Sequence, residues 1–123
     1  MRAFREAVEA GDIDAAVALF AEDATLDSPV AFKPFAGIEA VGFVLRAVFE
    51  TFEEFRYTDE LESEGSSALI FRAKVGEREV EGLDLIRLNA EGRIANLTVM
   101  IRPLSGLTAL AEAMGKKVGH LAK

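Results

Sequence analysis

Asp84 is the residue best placed to do chemistry in this chain. It lies in the run Arg78-Glu79-Val80-Glu81-Gly82-Leu83-Asp84-Leu85-Ile86-Arg87-Leu88, whose composition predicts a β-strand. Strand side chains alternate between faces, so Asp84 shares its face with Val80, Gly82, Ile86 and Leu88. A carboxylate on an apolar strand face is costly unless it is bonded or neutral. Apolar neighbours favour the neutral acid and raise its pKa. Such a group can donate to, or exchange a proton with, a carbonyl, enol or epoxide oxygen. The plainer alternative is an aspartate bonded to a buried backbone group, a water or Tyr57.

Few other residues have suitable chemistry. Tyr57 is the only tyrosine. It could supply a phenolic donor from the sheet, although an aromatic filler with a wet hydroxyl is the commoner role for such a residue. Ser28 ends a short strand and could orient a ligand oxygen. Without a nearby base it cannot accept a proton at neutral pH. Asp27 stands next to it, but alternation points Asp27 to the opposite face unless a bulge before Pro29 turns it inward. The one histidine, His120, lies in the tail, and there is no cysteine, which argues against a zinc site and against serine–histidine catalysis.

Positioning falls to an α+β pattern. Phe4, Ala7 and Val8 make an apolar helical stripe that Gly11 ends, and Asp12 suits the N-cap of a second helix whose face is Ile13, Ala16, Val17 and Phe20. Ala24 to Ser28 predicts a short strand stopped by Pro29. Val30 to Gly37 is irregular, with Phe32, Pro34 and Phe35 suited to a flap or rim over an apolar space, or to a loop tucked onto the core. Ile38 to Phe52 predicts a long helix with apolar residues at helical spacing. Four strands then follow, over Phe55 to Leu61, Ala68 to Val75, Arg78 to Leu88, and Arg93 to Arg102, with turns at Gly65-Ser66, Gly76-Glu77 and Asn89 to Gly92. On the last strand Leu97, Val99 and Ile101 oppose Asn96, Thr98 and Met100. Leu104 to Met114 predicts a terminal helix, and 115–123 a frayed basic tail. Helices grouped ahead of an antiparallel sheet indicate one α+β domain over 1–123.

Composition narrows the function classes. The 123 residues carry a net charge of −7, half are hydrophobic and 28% are charged, as expected of a soluble globular domain. A net negative surface argues against nucleic acid as partner. No window approaches a membrane span, and no signal-peptide stretch is read at the start, which fits a cytoplasmic protein. No metal or organic cofactor is expected.

The order of elements resembles the nuclear transport factor 2-like superfamily, especially its SnoaL-like and ketosteroid-isomerase-like branches, over roughly residues 4–102. The resemblance rests on Gly11-Asp12, on Ala18-Leu19-Phe20-Ala21-Glu22-Asp23-Ala24-Thr25 leading to Ser28-Pro29-Val30, on Gly37 before the long helix, and on Leu83-Asp84-Leu85-Ile86-Arg87-Leu88-Asn89 with Gly92-Arg93-Ile94. It implies a cone-shaped fold, commonly dimeric, with an apolar pocket. Ketosteroid isomerase uses a carboxylate base, a tyrosine and a carboxylic acid kept protonated by its apolar site. The resemblance places Asp84 at that protonated acid, Ser28 at the base and Phe4 at the tyrosine. Classical ketosteroid isomerisation is therefore not expected. The Asp-Arg-Asp set of limonene epoxide hydrolases is also missing, since Gly82 stands where its arginine would be. SnoaL-like cyclases need chiefly one pocket acid/base and a shaped apolar cavity.

The expected site is thus Asp84 as acid/base, with Phe4, Ser28, Phe32, Phe35, Tyr57, Phe71, Val99 and Ile101 around an apolar small molecule. Ile70, Leu83, Leu85 and Met100 would face away from it, suiting either a homodimer interface or coverage by the terminal helix. Three function classes stay open: a cofactor-independent isomerase, cyclase or lyase; a non-catalytic binder of an apolar ligand; and a protein-interaction domain whose cone is filled by side chains.

Overall fold

The structure, a computed structural model, describes residues 1–118. His120 and the end of the tail fall outside them. Two helices open the chain, α1 (Arg2–Glu9) and α2 (Ile13–Val17). Then come β1 (Phe20–Asp27), β2 (Phe35–Ala36), α3 (Ile38–Thr51), β3 (Glu53–Ser63), β4 (Ser66–Val75), β5 (Arg78–Leu88), β6 (Ile94–Arg102) and α4 (Leu104–Val118). The architecture is α+β, and one mixed, mostly antiparallel sheet runs β2-β1-β6-β5-β4-β3.

Local chemistry accounts for most of these boundaries. Gly11, at φ +74°, takes the chain out of α1 in a conformation that costs glycine little. Asp12 caps α2 through its side chain, which accepts from the Ala15 N–H at 3.0 Å. The two-residue turn Gly76-Glu77 joins β4 to β5 in register, Val75 opposite Arg78. That register runs unbroken to Ser66 and Arg87, so β5 sits between two long neighbours.

Four features depart from the sequence expectation. Helix α4 runs on to Val118, through 115–118 that were expected to fray. Phe20 starts β1 rather than closing α2: it pairs with Ile94 and is buried, while the Ile94 N–H donates to the Leu19 carbonyl. Burial of Phe20 satisfies a helical stripe and a strand face equally, so the apolar pattern did not separate them. The irregular segment ends in a strand, β2, with Phe35 opposite Leu26. The β1–β6 pairing is parallel, which makes the sheet mixed.

The core lies between the concave face of the sheet and α3, with Val41, Leu45, Leu69, Ile86 and Leu97 nearly inaccessible. Helix α4 packs on this same concave side. A Cβ on its Gly106 would lie 2.5 Å from the Val80 side chain and 3.0 Å from the Glu79 carbonyl, so the helix backbone rests directly on β5. Leu110 and Met114 point inward and are buried. Coverage of the opposite face by the terminal helix is thereby excluded: Ile70, Leu83 and Leu85 stay half-buried there and Met100 is 54% exposed.

Candidate functional site

Alternation on β5 puts Asp84 on the concave face, opposite Leu69 of β4 and Val99 of β6. It is 5% exposed. Tyr57 of β3 reaches it across β4, and its hydroxyl donates to Asp84 Oδ2 at 3.2 Å. The β3–β4 register slips between Tyr57 and Asp59, an irregularity of the kind that re-aims a side chain. Tyr57 is 7% exposed, so its hydroxyl is committed to Asp84 rather than wet, contrary to the commoner expectation. Arg5 of α1 lies over the Tyr57 ring at 5.8 Å while bonding Glu9 and Glu60, which closes the outer side of the tyrosine.

Glycine at position 82 completes the arrangement. Gly82 pairs with Phe71, and an added Cβ would meet that ring at 2.1 Å. The missing side chain lets Phe71 lie flat along the concave face, stacked on Phe55 with centroids 4.9 Å apart. Phe52 closes the group at 5.4 Å from Phe71.

A cavity of about 110 Å³ opens in front of Asp84. Leu26, Ser28, Val30 and Ala31 line it from β1 and the loop that follows. Val44, Leu45, Val48 and Phe49 line it from α3, and Leu110, Ala111 and Met114 from α4. Phe4, Phe35, Phe71, Val99 and Ile101, all expected at the site, also face it. Phe32 does not. It is fully exposed: the Ser28 Oγ accepts from the Val30 N–H at 3.0 Å, and from the resulting turn Ala31 and Val30, itself 44% exposed, reach the rim of the cavity instead. Asp27 faces the opposite side of the sheet, where its carboxylate accepts from Asn96 and Thr98. The expected site also omitted α4 and the α3 residues Val48 and Phe49. Their apolar periodicity was visible, but which face met a cavity was not.

Among the described residues Asp84 is the only ionisable side chain lining the cavity. Among the described residues Tyr57 is its one hydrogen-bond partner, and no fully buried side-chain oxygen lacks a partner. Its second oxygen therefore meets accessible space, and the cavity supplies that space. Burial raises its pKa from 3.8 to about 7, against a smaller downward pull from the Tyr57 hydrogen bond. Tyr57 is pushed above its ordinary range, first by burial and then by the Asp84 charge, so it stays a neutral donor. An acid that titrates near neutrality can both take and give a proton there. Among the described residues no cluster of three or more His, Cys, Asp or Glu could hold a metal ion, and no helix is long and apolar enough to cross a membrane.

This geometry has relatives. A family model described as a SnoaL-like domain matches residues 1–97. The chain belongs to that family. A steroid delta-isomerase from Pseudomonas aeruginosa is 41% identical, with a TM-score of 0.88 over 94% of this chain and 85% of its own. An uncharacterized protein with a cystatin-like fold from Silicibacter pomeroyi DSS-3 is 37% identical, with a TM-score of 0.90 over 96% of this chain and 84% of its own. A nuclear transport factor 2-like protein from Mesorhizobium loti, 20% identical, shares the fold at a TM-score of 0.73, covering 84% of this chain and 88% of its own. The nuclear transport factor 2-like fold of this SnoaL-like domain therefore stands, within a family that contains isomerases and cyclases.

The raised pKa makes stability depend on pH. Between about pH 4 and pH 7 the folded chain holds the Asp84 proton that the unfolded chain has released, so rising pH weakens folding. The loss is complete above about pH 7 and amounts to about 4 kcal/mol at most. Asp84→Asn keeps the shape and cannot ionise. Urea unfolding at pH 5 and pH 8 is expected to show the variant gaining a few kcal/mol on the wild type at the higher pH. Parallel pH dependences would contradict the shift.

Proposed function

We propose that this SnoaL-like domain is a cofactor-independent proton-transfer enzyme, of isomerase or cyclase type, acting on a small apolar molecule that carries a carbonyl. The observation that carries this is one buried carboxyl, poised near neutral pKa, as the sole ionisable group among the described residues that line an apolar cavity. Ionised Asp84 takes a proton from the carbon next to the carbonyl, leaving an enolate. The Ser28 hydroxyl, which accepts from Val30 and keeps its own hydrogen to give, bonds the enolate oxygen. The Asp84 acid then returns the proton at another carbon, so the double bond moves and the enzyme is restored. Tyr57 does not touch the ligand; it holds the carboxyl in place.

The likeness to a steroid delta-isomerase supports the reaction type. The resemblance to ketosteroid isomerase would set a tyrosine at Phe4 and a second carboxylate at Ser28, and this chain has neither, so one acid serves throughout. A cavity of about 110 Å³, smaller than the engineered apolar cavity of about 150 Å³ that holds benzene, encloses a single small ring at most. Cyclohex-3-enone, a one-ring β,γ-unsaturated ketone, is therefore the first substrate to try. Conversion to the conjugated ketone, followed by its absorbance, is expected with the wild type, and Asp84→Asn is expected to lower the rate by about 10²–10⁴. Undiminished turnover by the variant would overturn the role of Asp84. Tight binding without turnover by either protein would favour a non-catalytic binder.

We infer also that a second copy covers the convex face of the sheet. Ile70, Leu83 and Met100 form an apolar groove there, rimmed by Glu81 paired with Arg72 and Arg102, and Leu85 lies beside Leu83 on the same face. A patch carrying both charges around an apolar centre can meet its own copy about a two-fold axis. Sedimentation equilibrium is expected to give a dimer that Leu83→Glu converts to monomer. A monomeric wild type would contradict this.

A further inference from the structure

Helix α1 sends two consecutive residues to different tasks. Neighbours on a helix point about 100° apart. Phe4 is buried and lines the cavity. Arg5 turns instead to the Tyr57 ring, its guanidinium carbon 5.8 Å from the ring centroid. Two carboxylates hold it there. Its Nε donates to Glu9 Oε2 at 3.2 Å, and its Nη1 to Glu60 Oε1 at 3.0 Å. One partner stands on the same helix and the other on β3. Ion pairs so near solvent add little stability by themselves. Their arrangement matters because of what the arginine lies on.

The Tyr57 hydroxyl donates to Asp84 Oδ2 at 3.2 Å. A cation over an aromatic face draws on the electron density of the ring. In a phenol the oxygen is part of that system, so its O–H becomes a stronger donor. Burial and then the Asp84 charge push the Tyr57 hydroxyl up in pKa, and the Arg5 charge pulls the other way. Charged groups reach this pair from α1, as Arg5 and Glu9, and from β3, as Glu60. The Met1 amine meets Glu60 at 3.6 Å and Glu62 at 2.7 Å. The other neighbours are apolar: Leu69 and Phe71 on β4, Val99 on β6, and the cavity-lining residues of α3 and α4.

We propose that Arg5 is a positioning residue for the acid: held by Glu9 and Glu60, it steadies the Tyr57 ring and makes its hydroxyl a stronger donor to Asp84. Arg5 does not line the cavity, so its action runs through the tyrosine. A stronger donor favours the carboxylate over the acid. Arg5 thus sets how much of Asp84 is ionised at neutral pH, and so how much base the proposed proton transfer has at hand. The inference rests on that reading for its purpose, but its physical claim concerns the Tyr57–Asp84 bond and is measured without a ligand.

The titration midpoint of the Asp84 carboxyl, read from its ¹³C resonance, tests it in the wild type, Arg5→Gln, Arg5→Lys, Tyr57→Phe and the double variant Arg5→Gln with Tyr57→Phe. Arg5→Gln is expected to tighten proton binding about threefold, raising the midpoint by about half a pH unit. Arg5→Lys keeps a cation at the same helix position and is expected to recover about half of that displacement or more. In the Tyr57→Phe background, Arg5→Gln is expected to move the midpoint by less than about 0.2 pH units, because the hydroxyl that carries the effect is gone. A clasp that only docks α1 would lower unfolding stability and leave the midpoint in place, which would overturn the proposal. An equal displacement with and without the hydroxyl would overturn it too, since the field would then act on Asp84 directly. So would a complete lack of recovery by lysine. Should Arg5→Gln fail to fold, Glu60→Gln loosens the same arginine and is expected to raise the midpoint in the same direction; an unmoved midpoint there would count against the proposal equally. A wild-type midpoint near 4 would instead sink the poised acid of the proposed function, and this proposal with it.

Discussion

The interaction on which the site depends is the hydrogen bond from the Tyr57 hydroxyl to the buried Asp84 carboxyl. A carboxylate in an apolar enclosure must be paired, bonded or neutral. Among the described residues no cation approaches and one neutral donor does, and burial outweighs that donor. The group is left close to neutrality in its titration, with one oxygen held and the other open to the cavity. A second donor or an arginine would have fixed the charge, and the acid could no longer serve in both directions at neutral pH.

The rest of the fold shapes this enclosure and lines it with apolar side chains. Gly82 allows Phe71 to lie against β5, Phe71 supports Phe55, and Phe55 supports Phe49. Helix α4 seats its backbone on Val80 through Gly106 and turns Leu110 and Met114 inward. Lys117, near the far end of the helix, bonds Thr51 and pairs with Glu50, which ties α4 to α3. The enclosure is thus built from both ends of the sheet and from three helices, α1 contributing Phe4. A strained or mispacked aromatic would reach Asp84 through two or three contacts.

Much of this could be read from residue order because strand alternation is rigid. The face of Asp84, the opposite direction of Asp27, and the inward positions of Val99 and Ile101 all follow from a period of two. Gly11-Asp12 marked the helix boundary because its chemistry is local. The Tyr57–Asp84 bond stood only as one alternative among several. It spans 27 residues and crosses a strand, beside a register slip in β3 that no local pattern announces. Phe32 misled for a related reason: a bulky loop residue looks like a lid, yet after the Ser28 turn it is Val30 and Ala31 that reach the cavity rim, and Phe32 stays in solvent. The convex groove was visible as alternation, whereas its freedom from α4 required knowing which face the helix chose.

The central claim is that Asp84 holds its proton near neutral pH, and a site-specific titration addresses it directly. The carboxyl resonance of ¹³C-labelled Asp84, assigned by its absence in Asp84→Asn, is to be followed from pH 3 to pH 9. A midpoint near 7 is predicted, moving higher in Tyr57→Phe as the hydrogen bond that favours the carboxylate is lost. A midpoint near 4 in the wild type, the ordinary value for an aspartate, would contradict it.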